Sequence, residues 1–165
     1  MESIEAIAEN IEEYVRLTSQ LEMTCNWYAI DFGASPLYNF RDALSHYILY
    51  YEATDDESRI SQEASINEHL FRGTKDICVL ILYEMKKRTL DAFIAANTRK
   101  EEQDFRKLLH EYKKLELEIR RNTESTIIRS LTAFVEKLNV TIENTKNLFQ
   151  QYQIPFIYTS KVQKK

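Results

Sequence analysis

Residues 35 to 57 read SPLYNFRDALSHYILYYEATDDE, and this stretch holds the start of one helix and the start of the next. Ser35 is a good N-cap, and Pro36 follows at the first helical position, where its missing N–H costs nothing. Thr54 and Glu57 have the spacing of a capping box. Apolar residues recur between these signals at helical steps: Leu37, Phe40, Leu44, Ile48 and Tyr51. The stretch predicts a helix ending near residue 53, a short connection, and a long helix reaching about residue 96.

Glycine and proline are scarce along the whole chain. The 165 residues include two of each, where average usage would give about eleven glycines and eight prolines. Sheet proteins need these residues at their many turns. The composition therefore predicts few, long elements: an all-α, antiparallel bundle of long helices with an elongated, coiled-coil-like C-terminal segment.

Helical patterns also precede and follow this central pair. A first helix is expected from Ser3, as N-cap, to about Glu22, and the apolar run at 23–32 either extends it or covers one end of the core. A second capping box, Thr98 to Glu101, starts a fourth helix. Two apolar stripes follow: Phe105, Leu108, Tyr112, Leu115 and Ile119, then Ile127, Leu131, Phe134, Leu138, Ile142, Phe149 and Tyr152.

The polar run at 120–126 separates these two stripes. One helix over 99–152 would span roughly 80 Å, so we expect either a break near Asn122 or an elongated dimer. The predicted parts are a bundle at 1–97, a long helical segment at 98–154 and a flexible basic tail at 155–165. The stripe at 127–152 predicts a homodimer or a protein partner through the C-terminal helices, with Leu131 and Leu138 at its centre.

Composition excludes several classes of protein. The net charge of −4 argues against a protein that attracts nucleic acid through an overall positive charge. The longest apolar run, 77–83, is far too short to span a membrane, and the acidic N-terminus is unlike a signal peptide, so a cytoplasmic location is expected. Cys25 and Cys78 lack zinc-ligand spacing and are expected to be buried thiols. No phosphate-binding or zinc-protease pattern is present, and no cofactor is expected.

The central helix pair carries the candidate site. Arg41 falls within the apolar stripe of the first helix, so it is expected to be paired, or to lie at an interface or a cleft. His46 follows Asp42 by four residues, which places the carboxylate to orient the imidazole or to favour its protonated form. The next helix adds a polar group of residues: His69, Arg72, Lys75 and Asp76. Gly73 in mid-helix indicates close approach of another helix.

Three interpretations of these residues remain open at this point. Arg41, Asp76 and the histidines could form a buried ion-pair network that specifies helix packing. Asp42, His46, His69 and Asp76 could bind a metal ion. The third interpretation follows from the family resemblance described next: a catalytic site of Arg41, Asp42 and His46, with His69, Arg72, Lys75 and Asp76 contacting the substrate. His110, in a highly charged segment, is expected at the surface.

The run from Arg41 through Asp42 to His46 resembles the ribonuclease motif of HEPN domains. That motif is an arginine, often followed by a polar residue, with a histidine five to seven positions later in an all-α domain. The resemblance implies a metal-independent endoribonuclease, or an RNA-binding relative, of a toxin–antitoxin or antiphage defence system, dimerised so that two motifs line one cleft. It also implies that Arg41 binds the scissile phosphate, His46 acts as acid or base, and Asp42 orients the site. The competing interpretation is a non-enzymatic interaction protein, such as an antitoxin, immunity or scaffold subunit.

Overall fold

The chain folds into an all-α bundle. A computed structural model describes residues 2–121 and 128–155, and it is 88% helical. The helices are α1 (Glu2–Trp27), α2 (Ser35–Glu52), α3 (Asp56–Ile94), α4 (Arg99–Arg121) and α5 (Thr132–Gln151), with a 3-10 turn at Ile128–Leu131 before α5. No strand occurs within these described ranges. The predicted fold class is confirmed.

Helix α3 is the axis of the bundle. Its 39 residues pack against α1, α2, α4 and α5. The α3 residues in the core are almost fully buried: Ile66, Leu70, Ile77, Cys78, Ile81 and Met85. One hydrophobic cluster runs from Ile7 in α1 to Ile142 in α5. The predicted boundary between residues 97 and 98 falls in the α3–α4 connection, and the two predicted parts share this core.

Helices α4 and α5 form an antiparallel hairpin. Tyr112 and Thr145 share a buried hydrogen bond of 2.6 Å, and Phe105 packs edge-on against Phe149. The single helix over 99–152 is therefore not formed, since α4 ends at Arg121. Asn122, where a break was expected, lies outside the described residues, as does most of the predicted tail.

The apolar stripe of α5 faces the chain's own core. Leu131 and Leu138 are both 0% exposed, so the prediction that they form the centre of a partner interface is wrong. The helical period had identified the apolar face correctly. It could not show that α1, α3 and α4 already cover that face.

Helix starts were predicted with mixed success. Glu101 accepts from the backbone N–H of Asn97 and Thr98, and Thr98 accepts from the N–H of Glu101, which confirms the second capping box. The first box is shifted by one residue, because the Asp55 side chain caps α3 by accepting from the N–H of Ser58.

Two predicted serine N-caps are wrong. Helix α1 already begins at Glu2, so Ser3 lies inside it. The N-cap of α2 is Ala34, while the Ser35 hydroxyl donates to Asp76 of α3 at 2.6 Å. A tertiary contact has thus taken the capping hydroxyl.

Gly73 marks the place where three helices meet. A β-carbon there would lie 3.1 Å from the Tyr14 ring of α1 and 3.2 Å from the β-carbon of Asn39 in α2. The Tyr14 hydroxyl donates to the carbonyl of Pro36 at 2.8 Å, and its ring stacks on Phe40. The predicted close approach is confirmed, and it fixes α2 against α1 and α3.

Candidate functional site

The site lies where α2 runs antiparallel to the first half of α3. Polar side-chain contacts that cross this pair include Ser35 with Asp76, Asn39 with His69, and His46 with Gln62. Small buried residues on α2, Pro36 and Ala43 among them, allow the two helices to lie close together. The contact places the polar residues of both helices along one edge of their interface.

His46 and His69 lie together at this edge. Their ring centroids are 5.3 Å apart, with 19° between the ring planes. Both side chains are half-buried. His46 Nδ1 lies 2.7 Å from Gln62 Oε1, and His69 Nδ1 lies 3.4 Å from Asn39 Oδ1. The two histidines predicted on separate helices are therefore brought into one cluster.

Arg41 reaches this cluster through Asp42. Arg41 and His46 are five residues apart, which is about 140° beyond one full helical turn. Their side chains therefore leave α2 in different directions. The Arg41 guanidinium folds back and donates to Asp42 Oδ1 from Nε at 2.9 Å and from Nη2 at 2.7 Å. The side chain stays 68% exposed.

Asp42 connects the arginine to the imidazoles electrostatically. The hydrogen bonds from Arg41 hold the pKa of this carboxyl below its usual value, and the positive charges of Arg41, His69 and His46 act in the same direction. The carboxylate is therefore ionised at neutral pH, beside three groups that can carry positive charge.

Two expectations about these residues are wrong. Asp42 was expected to orient His46, but Gln62 holds the imidazole and Arg41 holds the carboxylate. Arg41 was also considered for a buried network with Asp76, but its partner is Asp42 and the pair is exposed. An exposed ion pair between adjacent residues contributes little to the stability of the fold.

The remaining predicted residues differ in their placement. Asp76 accepts from Ser35, at the N-terminal end of α2. Arg72 is exposed and pairs with Glu68 on its own helix. Lys75 lies on another face of α3, with its ammonium 5.9 Å from the Phe71 ring centroid. Lys75 is therefore separated from the histidines.

The other sequence predictions about chemistry concern thiols, metals and His110. Cys25 and Cys78 are buried, as predicted, and burial raises their pKa to about 11 and about 12. Across the residues that the structure describes, no three His, Cys, Asp or Glu side chains are grouped closely enough to hold a metal ion. His110 is exposed, as predicted.

Sequence reasoning missed Gln62 and Asn39, the two amides that hold the imidazoles. A signal for both was present. His46 and Gln62 lie eight residues on either side of Thr54, and Asn39 and His69 lie fifteen residues on either side. An antiparallel pair folded about a connection at Thr54 would pair these residues, so reflecting the sequence about it identifies both contacts.

One face of α2 is apolar and uncovered. We call Leu37, Leu44, Ile48 and Tyr51 the α2 apolar stripe, and they are 66, 41, 58 and 62% exposed. The predicted apolar face of α2 also included Phe40, which packs against the core and stacks on Tyr14, so the structure buries one part of that face and exposes the other. The buried residues of α2 are Pro36, Ala43 and Tyr50, spaced by seven on another face. Arg41 occupies the position between Leu37 and Leu44 in the α2 apolar stripe.

In the part of the chain that the structure describes, no helix is both long and apolar enough to cross a membrane. No protein-family model, curated protein or solved structure matches the chain.

Proposed function

We propose that this protein is a metal-independent endoribonuclease whose site is formed by Arg41 and His46. The supporting observation is that the Asp42 carboxylate, which holds the exposed guanidinium of Arg41, also interacts electrostatically with the stacked His46 and His69. A guanidinium beside imidazoles is the combination that phosphodiester cleavage requires, since it joins a fixed positive charge to proton-transfer groups.

Each residue has a definite task in this proposal. Arg41 binds the scissile phosphate and stabilises the charge that develops on its oxygens. A guanidinium carries five N–H donors, so donors remain for a phosphate while Asp42 holds the group. His46 exchanges a proton with the ribose 2′-OH or with the leaving oxygen. Asp42 positions Arg41.

The neighbouring residues have weaker roles. Arg72 lies on the same face of α3 as His69 and extends the positive surface for the RNA backbone, although Glu68 offsets its charge. Asp76 anchors the start of α2 through Ser35. Lys75 lies too far around α3 to share in this surface. The chain's net charge of −4 means that RNA binding depends on this local group of cations.

RNA cleavage by matched variants tests the proposal. Purified protein is incubated with unstructured oligoribonucleotides in EDTA, and the products are examined for 2′,3′-cyclic phosphate ends. Arg41→Ala and His46→Ala should each lower the rate at least about 100-fold. Arg106→Ala is a matched control. Arg41 and Arg106 are both 68% exposed, each pairs with a carboxylate of its own helix, and each lies over an aromatic ring, Tyr38 and Phe93 respectively.

Stability measurements on the same variants separate catalysis from folding. Arg41→Ala should change the free energy of unfolding by less than about 0.5 kcal/mol, as expected for an exposed side chain. His46→Ala should cost about 1 kcal/mol through the lost Gln62 hydrogen bond. His110→Ala provides an exposed histidine control. Full cleavage by a folded Arg41→Ala/His46→Ala double variant would exclude Arg41 and His46 as the ribonuclease site.

A second copy of the chain is the proposed partner at the α2 apolar stripe. Leu37, Arg41, Leu44, Ile48 and Tyr51 alternate steps of four and three residues, which is the spacing of a helix–helix seam. Tyr38 and Leu49 are exposed beside this seam and add to the apolar surface of α2. Such a dimer would bring two copies of Arg41 near each other.

The same stripe favours a second candidate function, a non-enzymatic interaction protein. In that case the α2 apolar stripe binds a different protein, and Arg41 gives the contact specificity as a polar position within an apolar seam. The C-terminal helices remain a predicted alternative surface, with Val140 as an exposed apolar residue on α5. A monomer in light scattering, together with absent RNA cleavage, would favour this candidate.

A further inference from the structure

The two imidazoles at the site are held in the same way. His46 Nδ1 lies 2.7 Å from the amide oxygen of Gln62, and His69 Nδ1 lies 3.4 Å from the amide oxygen of Asn39. The Asn39 amide is itself oriented, because its Nδ2 donates to the carbonyl of Ser35 at 3.0 Å. Each contact crosses from one helix to the other, so the packing of α2 on α3 sets both ring orientations.

These contacts decide which ring nitrogen is available. An amide oxygen only accepts hydrogen bonds, so each contact favours the tautomer with the proton on Nδ1, more strongly in His46 at 2.7 Å than in His69 at 3.4 Å. The atom left to gain or lose a proton is then Nε2 in each case. Within the described residues, neither Nε2 has a hydrogen-bond partner.

The rings are also close enough to act on one phosphodiester. Their centroids are 5.3 Å apart, and both side chains are half-buried at the same edge of the α2–α3 interface. Packing alone does not require two histidines here, because apolar rings would fill the same space without needing amide partners. The charged groups near the rings are Asp42, whose carboxylate holds the Arg41 guanidinium, and the Glu68–Arg72 ion pair that flanks His69 on α3.

We propose that His46 and His69 are a general base and general acid pair that completes proton transfer within a single copy of the chain. The inference rests on the ribonuclease proposal and assigns His69 a catalytic role rather than a binding one. Arg41 of the same copy supplies the positive charge at the phosphate. A second copy could dock on α2, but chemistry would not depend on it.

The reaction balances with these two groups alone. One imidazole removes the 2′-OH proton at Nε2 while the 2′-oxygen forms its bond to phosphorus. The P–O5′ bond breaks, and the other imidazole, protonated at Nε2, gives its proton to the leaving 5′-oxygen. The products are a 2′,3′-cyclic phosphate and a 5′-hydroxyl end. Proton exchange with water then returns both rings to their starting states.

An RNA substrate with a sulfur-bridged 5′ leaving group tests the pair directly. A thiolate leaves without a proton, so this substrate needs the general base but not the general acid. On ordinary RNA, His46→Ala and His69→Ala should each lower kcat about 100-fold or more, with little change in KM. On the sulfur-bridged substrate, one of the two variants should recover nearly the wild-type rate, which identifies the acid.

Other outcomes separate failure of the pair from failure of the function. If His69→Ala or His69→Asn cleaves ordinary RNA at the wild-type rate while His46→Ala does not, the pair is overturned and the ribonuclease stands. If both variants are slow and neither recovers with the sulfur-bridged substrate, the pair is again overturned. His69→Asn guards against misfolding, since its amide can still contact Asn39. If wild-type protein cleaves neither substrate, the ribonuclease proposal itself fails.

Discussion

Helix α2 and the α4–α5 hairpin have similar apolar sequence patterns, but the hairpin buries its apolar stripes and α2 exposes one of its own. The stripe residues of α4, Phe105 and Tyr112 among them, are buried. The α2 apolar stripe, which has the same helical spacing, is exposed. The difference lies in the rest of each helix. Helix α4 has charged residues on its other faces, so only one face can be buried, whereas α2 has apolar residues around more than half of its circumference.

This comparison shows when an apolar stripe predicts which face of a helix is buried. A helical period gives the angle of each residue about the helix axis, and a single apolar arc then identifies the buried face. Where two arcs are apolar, contacts with the neighbouring helices determine which arc is buried. In α2 the chosen arc contains Ala43 and Pro36, which are small enough to let α3 approach. Tyr50 is buried on the same arc, while the residues of the α2 apolar stripe are left at the surface.

The largest expected difference between the regions concerns two leucines. Leu138 is 0% exposed and Leu37 is 66% exposed. Leu138→Ala should lower the free energy of unfolding by about 3 kcal/mol, because it leaves a cavity in the core. Leu37→Ala should lower it by less than about 0.5 kcal/mol. Chemical denaturation of both variants measures this difference. Equal losses in the free energy of unfolding would mean that the face of α2 that carries Leu37 is buried.

Gly73→Ala should have an intermediate effect. Alanine favours helix by about 1 kcal/mol, but its β-carbon would press on Tyr14 and Asn39 at 3.1 and 3.2 Å. Tyr14 is held by Pro36 and Phe40, so it has little room to move, and overpacking costs about 1–3 kcal/mol. We expect a net loss of about 1 kcal/mol in thermal or urea unfolding. A gain in stability would show that α1 and α2 do not approach Gly73 this closely.

Ile48→Lys should have the smallest effect on folding but a clear effect on assembly. Ile48 is 58% exposed on α2, and Val140 is 62% exposed on α5, so Val140→Lys is a matched control. If a second copy docks on the α2 apolar stripe, the wild-type mass in light scattering is twice 19.6 kDa and Ile48→Lys reduces it to one chain. Val140→Lys should leave the dimer intact. Dissociation by Val140→Lys alone would locate the interface on the C-terminal helices.

The site shows the same division between sequence and structure. Placing Arg41 and His46 on one helix, and His69 on its antiparallel neighbour, follows from periodicity and the short connection at Thr54. Their partners did not follow, because a side chain bonds to whatever the tertiary contact presents. Gln62 therefore replaces Asp42 beside His46, and Asp42 replaces Asp76 beside Arg41.

The sequence by itself determined that this chain is helical, where α4 begins, which faces of α4 and α5 are buried, and that another helix approaches Gly73. These properties depend on local backbone preference and on a single apolar arc, which neighbouring residues encode. Only the tertiary structure decided that α4 and α5 fold back into one core, that α2 exposes its larger apolar face, and that His46 stacks on His69. Those properties depend on which surfaces compete for burial, and that competition involves residues far apart in the chain.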